Sequence, residues 1–305
     1  MKKLLSLLLL SVLLVSLFSC GGKEKAEAYL GLGHEVVHRD VNGMPMLCVF
    51  AAAAVIDGKT DAVIAIDVDA YMAMAAISGG AVAEGATQSV DSVAAMGGAD
   101  FDAMLSELAG TVVGKTASEI EALITAETAE EEAAMLKAIA YAAKTAEAPC
   151  KKADKPGVAL KGSLSTVNAD AIQETNGKIS ADIDFAAVAL DADGKVTAAA
   201  LDSIKGLARE FDATGALVDP ASDFKTKREK KFDYGMKDIS SIKKEWFEQA
   251  EGFCAYLVGK TAEGIGAIGV EGGYPTEEAL LSSCTMGISG YIAVAVAAAN
   301  SAAAE

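Results

Sequence analysis

Val113-Gly114-Lys115-Thr116-Ala117 returns 145 residues later as Val258-Gly259-Lys260-Thr261-Ala262. The segment leading into each copy returns at the same offset, Phe101-Asp102-Ala103-Met104 in one place and Trp246-Phe247-Glu248-Gln249 in the other. Working outward, Ala51 to Val55, Ile56-Asp57-Gly58-Lys59 and Val63 to Ile66 match Phe185 to Leu190, Asp193-Gly194-Lys195 and Val196 to Leu201. Each half closes on an alanine-rich, helix-like stretch, Ala133 to Ala143 and Ile292 to Ala299. The same order twice reads as a tandem duplication, and two long copies are too few for a solenoid. The expected fold is α+β: two related domains, each an antiparallel sheet with flanking helices. The first domain is expected over 29–148 and the second over 157–305. The proline- and charge-bearing stretch 149–156 joins them.

Local chemistry supports these elements. Asp-Gly between two apolar runs marks a hairpin, because glycine accepts the positive φ of a primed turn. From Ile242 to Val258, Trp246, Phe247, Ala250, Phe253, Cys254 and Leu257 recur at helical spacing. Gly114 and Gly259 are placed to end their helices in the left-handed region. Thr116-Ala-Ser-Glu119 is a capping box for the next helix; the second copy keeps Thr261 but carries Gly264 in place of the glutamate.

Composition narrows the function. The 305 residues hold 26 Lys+Arg against 43 Asp+Glu, a net charge of -17, which argues against nucleic acid as a partner. Hydrophobic residues at 52% exclude general disorder. At the amino terminus, Lys2-Lys3 precedes an apolar run from Leu4 to Phe18, then Ser19-Cys20-Gly21-Gly22. This resembles the lipobox of bacterial lipoproteins. It implies a signal peptide over 1–19, lipid acylation (palmitate) of Cys20 and a tether over 20–28. The protein is then expected at the extracytoplasmic face of the cell membrane, anchored rather than spanning.

Several motifs invite chemistry. His34-Glu35-Val36-Val37-His38 spells the zinc-hydrolase string, which works when a helix sets both imidazoles on one face. Here Gly31 and Gly33 precede it, Val36-Val37 favours extended backbone, and Asn42-Gly43-Met44-Pro45 would stop a helix just beyond. A first strand is expected, with a metal at His34 and His38 as the competing reading. Gly-Lys-Thr lacks the phosphate loop's first glycine, since Ala109 and Cys254 hold those positions. Cys48, Cys150, Cys254 and Cys284 allow three disulfide pairings, and Cys254 lies on an apolar helix face. The basic run Lys225 to Lys231 reads as a solvated loop, or as an anion contact.

The order hairpin, long helix, Gly-Lys-Thr turn and hydroxyl-bearing turn before a final alanine-rich helix resembles the FMN-binding domains of bacterial tandem-domain surface lipoproteins. The resemblance implies FMN held through a threonine phosphoester made by a flavin transferase. It also implies electron transfer from a membrane donor. Leu281-Ser282-Ser283-Cys284-Thr285-Met286-Gly287 occupies the family's turn, with Thr285 at the linked position and Ser283-Cys284 departing from its Gly-Ala. The turn with Ser282 and Ser283, at the amino end of the helix that carries Tyr291, would offer N–H groups to the phosphate, and Trp246, Phe247, Phe253 and Tyr256 would cover the ring. Thr87, in Gly85-Ala86-Thr87-Gln88, carries the literal motif but stands before the Gly-Lys-Thr turn. The leading expectation is an FMN-carrying electron carrier rather than a catalyst. A flavin-free surface lipoprotein that binds a ligand or partner is the alternative, and a zinc hydrolase comes third.

Overall fold

The computed structural model describes residues 25–41, 44–218 and 224–304. The signal segment 1–19 and Cys20 lie outside the described residues. The fold is mixed α/β with antiparallel sheets. The first half lays down β1 (Ala28–Val41), β2 (Met44–Asp57), β3 (Val63–Ser78) and β4 (Ala81–Val90), then α1 (Val93–Val112), α2 (Ala117–Glu121) and α3 (Glu130–Thr145). The short β5 (Ala148–Cys150) pairs with Ala28–Leu30 and completes a sheet ordered β4-β3-β2-β1-β5. The second half begins with β6 (Lys155–Val167), β7 (Gly177–Leu190), β8 (Val196–Phe211) and β9 (Leu217–Val218), ordered as numbered in one sheet. There follow α4 (Lys227–Lys230), a 3-10 turn (Lys231–Tyr234), α5 (Met236–Ile239), α6 (Trp246–Leu257) and α7 (Ala262–Gly266). A small hairpin, β10 (Val270–Glu271) with β11 (Tyr274–Pro275), leads to α8 (Glu278–Leu281) and α9 (Ser289–Ala304).

The central strands explain the layering. Along β2, Leu47, Val49, Ala51, Ala53 and Val55 face the second sheet, where Ile183, Phe185, Ala187 and Ala189 of β7 meet them. The alternate residues Cys48, Phe50, Ala52 and Ala54 face α1–α3. On β7 the outer residues Ala186, Val188 and Leu190 face α6 and α9. The order is helices, sheet, sheet, helices. Strands buried on both faces need apolar residues at every position, which is why β2 reads as a continuous run instead of an alternation. Alanine and glycine let the layers close tightly. A Cβ added at Gly31 would strike the carbonyl oxygen of Ala142 in α3, and one at Gly157 would strike that of Ala298 in α9.

The repeated Gly-Lys-Thr turn makes the same bonds twice. Gly114 N donates to Val63 O, and Val63 N donates to Lys115 O. Gly259 N donates to Val196 O, and Val196 N donates to Lys260 O. Both glycines are left-handed, at φ 85° and 84°. The capping box of Thr116 and Glu119 forms, and Thr261 keeps its half by accepting from Gly264 N. The hairpins differ from expectation in one respect. Asp57 matches Asp191 rather than Asp193, since each carboxylate accepts from backbone N–H groups two to four residues on. Gly194 is left-handed as a turn glycine should be, but in the first turn that conformation falls on Asp61, at φ 56°. Aspartate tolerates it because its short polar side chain bonds locally.

Candidate functional site

The two sheets meet differently along their two sides. On one side β3 packs against β6. On the other, β1 and β8 leave a cleft of about 970 Å³. Incomplete pairing produces the gap: β5 covers β1 only from Ala28 to Leu30, and β9 covers β8 only at Glu210 and Phe211. Leu30, Leu32 and Ala198 line the floor, and Phe247 and Cys254 of α6, with Val258 just beyond its end, line one wall. Tyr141 and Thr145 of α3 form the opposite wall, and Arg228 and Glu229 of α4 form one end.

The sequence builds that end with a single turn of helix. Thr226 and Glu229 form a capping box, with Thr226 N donating to Glu229 Oε2 at 2.8 Å and Glu229 N donating to Thr226 Oγ1 at 3.1 Å. Successive residues of α4 then diverge. Lys227, only 7% exposed, turns into the outer core. Its Nζ donates to Tyr291 Oη at 2.9 Å and sits 5.2 Å from the Trp246 ring. Burial, then the nearby Lys205 charge, pushes its pKa down to about 8. Arg228 turns to the cleft, where its Nε donates to Leu201 O and its Nη1 pairs with Glu147 and Glu251. Glu229 accepts from Tyr141 Oη at 3.0 Å and lies 3.8 Å from His34 Nε2. Beneath them Asp202 is buried, accepting from Arg228 N and Ser203 N. Burial raises its pKa.

The histidines are not set as the helical zinc motif sets them. His34 and His38 both lie in β1. Four residues of extended chain separate them by about 13 Å, against one helical turn in the zinc motif. His34 instead packs on Tyr141 and Phe185, and His38 on Phe224. Both line a smaller cavity of about 440 Å³ that shares Tyr141 and Glu229 with the cleft. No cluster of three or more ligating side chains occurs among the described residues.

The residues expected around FMN are not gathered at one cavity. Trp246 is 1% exposed, and its Nε1 donates to Tyr291 Oη at 3.2 Å. Phe253 is fully buried. Both belong to the outer core, whereas Phe247 lines the cleft and Tyr256 packs at the edge of that core. Thr285 is held by Gln249, whose Oε1 accepts from its N at 2.9 Å and its Oγ1 at 3.3 Å. Ser283 packs against Gly252, and Ser282 is exposed. Thr87 sits exposed on β4 opposite Ala75, not in a turn before a helix. Thr285, Trp246 and Tyr291 line neither described cavity. The four cysteines after Cys20 are free and buried, and burial pushes the Cys254 thiol up to about 12.

A search against protein-family models, curated proteins and solved structures finds no match for the chain. The sequence pointed to neither Tyr141 nor Asp202, and held Arg228 only within the basic run Lys225 to Lys231, read as a loop or an anion contact. For Arg228 a signal was present: Thr226-x-x-Glu229 is a capping box, so the basic run is a helix end, not a plain loop. Tyr141 and Asp202 carry no local signal, because only the packing of one half on the other brings them together.

Proposed function

We propose that the protein is a lipid-anchored, flavin-free binding lipoprotein of the cell envelope, built from two related domains, and that it holds its ligand in the β1–β8 cleft. The cleft's volume carries this reading. About 970 Å³ lies at the upper end of small-molecule sites, and an apolar lining with a few convergent polar groups is their usual composition. The lipobox-like segment ending at Cys20 supports the anchor. The repeated bonds of the two Gly-Lys-Thr turns support the duplication. The experiment is a thermal-shift screen of a metabolite and lipid library on the mature chain with Cys20→Ser, beside Ala255→Trp, which fills the cleft from α6. Stabilisation by one compound class in the parent and none in Ala255→Trp is the expected outcome. Stabilisation that survives Ala255→Trp would refute the site. A flavin absorbance band, with FMN mass lost in Thr285→Ala, would refute the flavin-free reading.

A further inference from the structure

The open seam has a closed counterpart in the same molecule, and comparing them residue by residue assigns the ligand's chemistry. The sheet registers set the correspondence. Asp69 of β3 lies opposite Ala51 and accepts from Ala70 N at 2.7 Å; Asp202 of β8 lies opposite Phe185 and accepts from Ser203 N at 2.8 Å. Two residues earlier stand Asp67 in β3 and Ala200 in β8. On the facing strands, Gly31 and Gly157 each lie under the last helix of their half, against Ala142 and Ala298. The next residues are Leu32 and Val158. Three residues beyond those alanines stand Thr145 and Ser301.

In the closed seam these positions bind one another. Asp67 Oδ2 accepts from Val158 N at 2.8 Å and from Ser301 Oγ at 2.6 Å. One carboxylate thus joins the two sheets and the final helix. In the open seam the corresponding Leu32, Thr145 and Ala200 all line the cleft. The hydroxyl and the strand edge remain, but a methyl group stands where the carboxylate belongs. Thr145 Oγ1 turns to Leu32 O at 3.3 Å and to Tyr141 O at 2.9 Å. Antiparallel pairing sends a residue's N–H the same way as its C=O, so Leu32 N–H also faces the cleft.

We infer that the cleft takes an aliphatic carboxylic acid, whose carboxylate replaces the one that Ala200 lacks and accepts from Leu32 N–H and Thr145 Oγ1. This rests on the cleft being the binding site. Arg228 supplies the complementary charge. Its guanidinium is shared by Glu147 and Glu251, both more than half exposed at the rim, so a ligand carboxylate can take the place of either. Glu229 does not oppose the ligand directly, since Tyr141 Oη and Thr226 N hold its oxygens. The tail lies along Leu30, Ala198, Phe247 and Val258, which offer apolar surface and no donor.

The test is calorimetric titration of the Cys20→Ser chain with decanoate, decylamine and decanol, each below its micellar concentration. Decanoate is expected to bind, the amine and alcohol at least about tenfold more weakly. Thr145→Val should weaken decanoate about tenfold, the scale of one hydrogen bond to a charged group. Ala200→Asp should abolish binding, because the new carboxylate closes the seam as Asp67 does. Equal binding of all three probes, lost in Ala255→Trp, would overturn the carboxylate and leave the cleft standing. Silence of all three would also overturn it, while the library screen judges the cleft separately. Decanoate binding unchanged in Ala200→Asp and Thr145→Val would overturn the placement even with both variants folded.

Discussion

Asp67→Asn should remove one component of the dependence of stability on pH, and the size of the change follows from the seam. Asp67 is 4% exposed. Burial raises its pKa to about 6 from an ordinary 3.8, and the bonds from Ser301 and Val158 only partly offset that rise. The folded chain therefore binds the proton more tightly than the unfolded chain does. Stability from this group is full below the unfolded value and is lost as pH rises through about 6. Integrating between pH 7.5 and pH 4.5 gives about 2 kcal/mol in favour of the acidic condition. For a chain of this length that is ~3 °C in melting temperature. Asparagine keeps the acceptor and does not titrate, so the measurement is the wild-type minus Asp67→Asn difference in urea unfolding, taken at several pH values. Subtraction removes the other carboxylates, among them Asp202, whose pKa burial also raises. Parallel profiles for the two proteins would refute the reasoning, as would a wild type that loses stability relative to the variant on acidification.

Other substitutions probe the remaining layers. Gly157→Val would drive a side chain into the carbonyl of Ala298 and lift α9 off β6, costing about 3 kcal/mol in urea unfolding, at the heavy end of overpacking. Lys227→Met acts with the opposite sign from the carboxylate: the folded state releases its proton from about pH 8, the unfolded state only near 10.5. Wild-type stability should therefore rise between those values relative to the Met variant, and thermal melts across that range would show it.

The layers were legible because they depend on local chemistry. Thr116-x-x-Glu119, the turn glycines Gly114 and Gly259, and the doubled apolar runs state their elements in sequence. The exchange of roles between Gly58 and Asp61 was not legible, since local bonding and not residue type chose the left-handed position. The site was mostly hidden. His34-Glu-x-x-His38 reads as chemistry in one dimension and is pulled about 13 Å apart by the strand that holds it. Trp246 and Phe253 read as a ring cover, yet the outer core claims both. The cleft arises from what is absent, a carboxylate at Ala200 and a full-length β9, and an absence gives no motif.

The glycines beneath α3 and α9 have one more consequence. Helix backbone rests directly on strand backbone at Gly31 and Gly157, with no side chain between to compress or swing aside. At Gly31 that contact locks α3, which carries Tyr141 and Thr145, onto β1, which carries Leu30 and Leu32, so one wall and the floor of the cleft are joined through main chain. Whatever enters the cleft meets that pair as a single rigid body.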